Sequence, residues 1–303
     1  MISHRRVAAV AWLCLVASSQ IAAQTTQVII LGTGTPNPDP ERSGPAVAIV
    51  AGGKAYLVDA GPGLVRRAAQ MARDQEIAAL QAANLGIVFV THLHSDHTVG
   101  LPDLVHTGWV AGRTEPLRVF GPPGIGAMTK HLMAAWREDV AIRTDGTQPS
   151  TPNGWRIAAT TVKPGIIFRD SNIVVTAIPV PHTSWKSAFG YRFETRNRVI
   201  VVSGDNRPND AIAAACNGCD VLVHEVYSAD GLKSLPPNWQ RYHRGSHVST
   251  IELAEIANRA HPKLLVIYHQ LYFGGATDEG LIGELRRAGY QGLLVSAKDL
   301  GVY

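Results

Sequence analysis

One stretch, Gly86-Ile-Val-Phe-Val-Thr-His92-Leu-His94-Ser-Asp96-His97, limits what this chain can become more than any other. The apolar run from Ile87 to Val90 reads as a buried strand. It opens directly into three histidines and an aspartate within six positions. A single histidine beside an apolar strand is ordinarily a satisfied core residue. Four such groups together would cost on the order of several kcal/mol apiece if buried without partners. Imidazole nitrogen and carboxylate oxygen both suit zinc, and a strand-to-loop turn can aim two side chains at one ion and two at its neighbour. The loop therefore points to metal.

Three further candidates end later apolar runs: His182 in Pro-Val-Pro-His, Asp205 in Val-Val-Ser-Gly-Asp and His269 in Val-Ile-Tyr-His. Each alone reads equally well as an ordinary loop residue; their shared placement after a strand strengthens all three. Strand-like runs recur at 28–31, 46–50, 55–58, 87–90, 117–120, 173–178, 199–202, 221–223, 264–267 and 293–295. Helical stretches are expected at 63–73, 124–136, 209–215, 250–260 and 278–288. Strands pair first and alternate with helices later. That order suits an α/β fold in which two sheets meet and helices cover them, an αββα sandwich. With 303 residues, 46% apolar and 17% charged, and no compositional break, residues 24–303 read as one domain. The segments 32–45 and 228–246, rich in Gly, Pro, Ser and Asn, read as loops that cover a site or move.

The first residues combine a basic pair, Arg5 and Arg6, an apolar stretch from Val7 to Ala17 and a small-residue exit at Ala22 and Ala23. Residues 1–23 thus read as a cleaved signal peptide, since the apolar stretch is short of the roughly 20 residues that span a bilayer. The expected location is periplasmic or secreted, with no stable membrane insertion after cleavage. Losing Arg5 and Arg6 takes the formal charge from +4 to +2, a weak pull on nucleic acid. Cys216 and Cys219, in Cys-Asn-Gly-Cys, suit a small disulfide in an oxidising compartment; a redox pair or a metal site are the other readings. Pairing of two copies as a homodimer stays open.

His-Leu-His-Ser-Asp-His followed by His182, Asp205 and His269 resembles the complete seven-ligand set of the metallo-β-lactamase superfamily. The resemblance implies one divalent ion, zinc in the first instance, held by His92, His94, His182 and Asp205. A second would be held by Asp96, His97, His269 and the shared Asp205, with a hydroxide between the two ions as nucleophile. The opening Leu31-Gly-Thr-Gly-Thr-Pro, with Arg42 and Gly44 after it, and the run Gly112 to Pro122 are similar to ribonuclease Z and its relatives. Val223-His224-Glu225 and Ser246-His247-Val-Ser-Thr250 resemble paired motifs of that group, which implies proton transfer by Glu225 and His247 and places them, with Asp96, among the catalytic residues. On that reading His247 is a general acid whose charged form Glu225 favours. Asp59 resembles a residue that supports the ligand loop, and His224 reads as structural.

Two departures stand out. Only residues 183–204 separate His182 from Asp205, so the arm by which ribonuclease Z grips transfer RNA is missing, and Ser95 replaces a usual glycine. Together with the leader and the weak charge, the missing arm argues against transfer RNA as a partner. The expectation is a dinuclear hydrolase of phosphodiester-type bonds in a small or medium ester substrate. The alternatives are arylsulfatase-type hydrolysis, lactone or β-lactam hydrolysis, and a metal-binding module without turnover. Trp109, Trp185, Trp239, Tyr242, Tyr272 and Phe273 lie in or beside loops near these ligands; they could wall an aryl substrate, though most read as packing.

Overall fold

A computed structural model describes residues 26–303, and the leader expected over residues 1–23 lies outside them. One sheet carries β1 (Gln27–Gly32), β2 (Ala46–Ala51), β3 (Lys54–Val58), β4 (Ile87–Phe89), β5 (Leu117–Gly121) and β6 (Ile157–Thr161), side by side in chain order. The other carries β7 (Gly165–Arg169), β8 (Ile173–His182), β9 (Trp185–Thr195), β10 (Val199–Val202), β11 (Val221–Tyr227), β12 (Leu264–Leu271) and β13 (Leu294–Ser296), again each beside its sequence neighbour. Both sheets begin with antiparallel hairpins. The first turns parallel from β3 to β6 and the second from β10 to β13. The shift from paired strands to alternation with helices therefore happens twice, once per sheet.

The crossovers supply α1 (Leu64–Asp74), α2 (Leu101–Val110), α3 (Ile125–Ala135), α4 (Arg137–Asp145), α5 (Asp210–Cys216), α6 (Pro237–Arg244), α7 (Thr250–Ala260) and α8 (Asp278–Arg287). Side chains alternate across each strand. Val28 and Ile30 face the core between the sheets, with Phe89, Phe120, Phe168 and Phe193, while Ile29 and Leu31 face Leu64, Leu104 and Ile125 of the covering helices. On the far side Ile212, Leu253, Ile256 and Leu285 of α5, α7 and α8 cover the second sheet. This is the αββα sandwich expected.

Some expectations shift. The segment 228–246 is not all loop: it holds a short 3₁₀ turn, Gly231–Ser234, and α6. No aliphatic stripe marks α6, because its apolar side is made of aromatic rings. β6, β7, β9, α2 and α4 escaped the sequence reading; β6 is largely exposed, and β9 opens on exposed Trp185 and Lys186 and places Arg192 between buried Tyr191 and Phe193. Cys216 and Cys219 are joined as a disulfide at the end of α5. Gly32 allows close packing: a Cβ there would lie 2.0 Å from the Gly44 carbonyl oxygen, so two loops cross where a side chain has no space.

Candidate metal centre

The loop after β4 is clamped from beneath by Asp59, which lies 1% exposed in a left-handed conformation (φ 60°) at the end of β3. The Thr91 backbone N–H donates to its Oδ1 at 2.8 Å, and the Thr91 hydroxyl reaches both carboxylate oxygens. At the loop's far end His97 Nδ1 donates to Asp59 Oδ2 at 2.8 Å. One buried carboxylate thus ties both ends of the loop and leaves His97 Nε2 facing inward, the second-layer arrangement that orients a ligating histidine. His92 Nδ1 is likewise held by the Thr91 hydroxyl at 3.0 Å, and His182 Nδ1 donates to the Ser246 carbonyl at 2.7 Å. His94 is turned the other way. Its Nδ1 lies 2.9 Å from His92 Nε2 and 3.2 Å from His182 Nε2, while Trp185 Nε1 stands 2.9 Å from its Nε2.

The second sheet delivers its donors singly. His182 and His269 do not follow their strands, as the sequence suggested, but lie within them. His182 is the last residue of β8, before the turn at Thr183 (φ 43°). Asp205 comes three residues after β10, beyond Gly204 (φ 58°). His269 is the extra residue of a bulge: Tyr268 pairs with Glu225 and Gln270 with Val226, and His269 between them has φ 46°. A bulge re-aims one side chain without shifting the rest of the strand. The bulge is braced by Gln270, whose Oε1 accepts from Arg42 at 2.8 Å. Arg42 in turn holds the hydroxyl of Thr33, in the glycine-threonine opening, at 3.1 Å. That opening is therefore structural support for the centre.

Donor atoms of His92, His94, His182 and Asp205 lie within 4.8 Å of one another, as do those of Asp96, His97 and His269. Asp205 Oδ2 joins the groups, at 3.9 Å from His92 Nε2 and 3.4 Å from both His97 Nε2 and His269 Nε2. Asp96 Oδ2 stands 3.4 Å from the same two nitrogens of His97 and His269. Asp96 Oδ2 and Asp205 Oδ1 are buried with no hydrogen-bond partner in the protein. Orphaned carboxylate oxygens are costly, and a cation among them removes the cost. The donor set and its convergence fit divalent metal.

Electrostatics favour the donor state at the His92, His94 and His182 group, whereas at His97 and His269 burial is outweighed by the surrounding carboxylates, which raise both rings. Burial pulls His92 well down, lowers His94 and takes His182 to about 4, which leaves ring nitrogens free of an extra proton. Burial alone would raise Asp205, but His269 and His97 hold it well below the usual carboxylate range. Glu225, on β11, is fully buried; its Oε1 accepts from Val248 N at 2.9 Å and its Oε2 lies 3.3 Å from His247 Nδ1. Burial and then the charge of Asp205 push Glu225 well up, and burial takes His247 to about 4. His247 thus rests neutral, not charged as its carboxylate neighbour suggested, because desolvation outweighs attraction. His224 is buried and donates from Nδ1 to the Glu225 carbonyl at 2.7 Å, the structural role expected of it. Sequence reasoning missed the Trp185 contact with His94, and it gave no role to His243, which packs 5.6 Å from His247.

Residues 54–270 match the beta-lactamase superfamily domain. Ribonuclease Z of Mycobacterium bovis (strain BCG / Pasteur 1173P2) is 31% identical over 278 residues, covering 90% of this chain and 96% of the relative. Ribonuclease Z of Mycobacterium sp. (strain KMS) is 33% identical over 247 residues, covering 81% and 84%. Among solved structures, the metallo-beta-lactamase fold protein YhfI from Bacillus subtilis superposes with a TM-score of 0.68 at 18% identity, covering 92% of this chain and 98% of that one. Human tRNase Z, short form, superposes with a TM-score of 0.66 at 22% identity, covering 91% and 98%. The fold and the donor ring define a metallo-β-lactamase-fold hydrolase. Within that superfamily the chain belongs to the ribonuclease Z family.

These relatives overturn the argument against transfer RNA. The β8–β9 hairpin does leave His182 and Asp205 without an arm between them. Yet a relative named ribonuclease Z matches this chain over 96% of its own length, so the short connection does not set the chain apart.

Proposed function

We propose that this protein is a two-metal phosphodiesterase that cuts RNA, with precursor transfer RNA as the substrate class to which its relatives' names point. The observation that carries the reading is Asp205, whose Oδ2 lies 3.4 to 3.9 Å from nitrogens of both donor groups. His92, His94, His182 and Asp205 would hold one ion; Asp96, His97, His269 and Asp205 would hold the other. Ions bound there would lower the pKa of water and offset charge on the attacked phosphate. The chain's own residues do the rest. Asp59, Thr91 and the Ser246 carbonyl hold His97, His92 and His182 with Nε2 inward. Burial and the charge of Asp205 favour a proton on Glu225, so Glu225 would pass that proton to His247 Nδ1 as the neutral ring gives its Nε2 proton to the leaving oxygen, a transfer worth roughly 10²–10⁴ in rate.

The test is incubation of the metal-loaded protein with a precursor transfer RNA bearing a 3′ extension, beside a small chromogenic phosphodiester. Cleavage at one position near the 3′ end is expected, together with turnover of the small ester. Turnover of the ester alone would remove RNA from the reading, and failure on both would remove phosphodiester hydrolysis.

A further inference from the structure

α6 turns aromatic rings toward the centre where a short surface helix would ordinarily show polar side chains. Trp239 is 51% exposed and Tyr242 42%, with the two rings edge to face at 5.7 Å. Single exposed apolar residues are normal. These two border one cavity of about 580 Å³ that ends on Asp96, Asp205 and His269 and is floored by Leu271 and Phe273. Among the described residues, no lysine, arginine, aspartate or glutamate lines it beyond Asp96 and Asp205. From the mouth inward the rings run from a stacked pair to progressively tilted ones, the last at 46°. Trp239 lies 5.7 Å from His243 at 24°, and His243 lies 5.6 Å from His247 at 34°. His247 in turn is 6.0 Å from His269. The wall is thus aromatic and continuous with the donor ring, with the Trp239 face at its mouth.

Such a surface takes a flat, uncharged group attached to the reacting phosphate. We propose that Trp239 and Tyr242 form a stacking subsite for the nucleobase next to the scissile phosphate, an inference that rests on the RNA phosphodiesterase reading above. Every base has a π-face, so a stack of this kind adds affinity without selecting sequence. Trp239 is the main platform because its indole is the larger and more exposed ring and is backed by His243.

The test uses the metal-loaded full chain and three versions of one RNA substrate, differing only at the nucleotide beside the cut: the natural base, a phenyl ring in its place, or no base. The wild type should cut the two ring-bearing substrates about tenfold or more faster in kcat/KM than the abasic one, the size of one base–aromatic stack. Trp239→Ala should erase that preference, and Trp239→Phe should keep most of it. Equal rates on all three substrates in the wild type, or an undiminished preference in Trp239→Ala, would overturn the subsite. Loss of the preference with phenyl but not with the natural base would also overturn it, because hydrogen bonding would then be reading the base. A second readout separates this inference from the reading beneath it. A nucleoside monophosphate should quench part of the wild-type tryptophan emission, and that part should vanish in Trp239→Phe, whereas ribose 5-phosphate should quench neither. Quenching without any RNA cleavage would support the subsite while the RNA phosphodiesterase reading fails; RNA cleavage with no base-dependent quenching would overturn the subsite alone.

Discussion

The two sheets share one design, hairpins followed by parallel crossovers, yet they deliver donors by different means. The first places His92, His94, Asp96 and His97 on a single loop beyond β4 and fastens that loop with one carboxylate, Asp59. The second spreads His182, Asp205 and His269 over β8, the end of β10 and β12, and relies on strand order, a bulge and positive-φ backbone to bring them together. A local cluster needs one anchor, whereas a dispersed set needs the whole sheet to be in register. The first half can therefore be loosened by a single change beneath the loop, and the second only by changing the donors themselves or the strands that carry them.

Asp205 is where the halves meet, so its loss should have the largest effect. Asp205→Ala is expected to lower metal content and to reduce phosphodiester turnover about 10³-fold or more, the scale on which removal of an organising catalytic group acts. Metal analysis and kinetics on one sample check this; both ions retained with near-normal turnover would break the bridge between the halves. Next comes His247, which packs among second-half residues and touches no donor in the first loop. His247→Ala should keep both ions, and it should slow esters with alkoxide leaving groups by roughly 10²–10⁴ while barely affecting nitrophenyl esters, whose anion departs unaided. An equal loss on both ester types would reduce His247 to a positioning or structural residue. The smallest effect belongs to the clamp. Asp59→Ala should weaken ion binding by about 10- to 100-fold, the usual cost of removing a partner that orients a metal-bound histidine. Calorimetric titration of ions into the variant would sharpen the comparison, since weakening is expected at the ion shared with His97 before the other. Unchanged affinity at both would show that the first loop holds itself.

The same contrast explains what the sequence could disclose. His92 to His97 were legible because polar groups crowded behind an apolar strand have no bland explanation. His182, Asp205 and His269 were legible only as residues near strand ends, and the bulge that aims His269 left no local mark. α6 is hidden in the sequence because His243 is its one buried residue and its aromatic residues Trp239 and Tyr242 are exposed, so no aliphatic period of 3.6 marks it. The neutral state of His247 could not be foreseen, since it depends on desolvation by residues distant in sequence. The absence of an arm was read correctly as a structural fact and wrongly as evidence about the partner. Connection length between two strands says where the chain goes, not what the donor ring cuts.

In the proposed function one carboxylate, Asp205, joins two ions into a single phosphodiester-cleaving centre. Stepwise addition of zinc to the metal-stripped protein, with bound metal and turnover of a chromogenic phosphodiester followed together, tests it most directly. Activity should climb mainly with the second equivalent and level at about two ions per chain, the stoichiometry of a two-metal centre. Full activity at one ion per chain, or turnover that persists in the stripped protein, would contradict it.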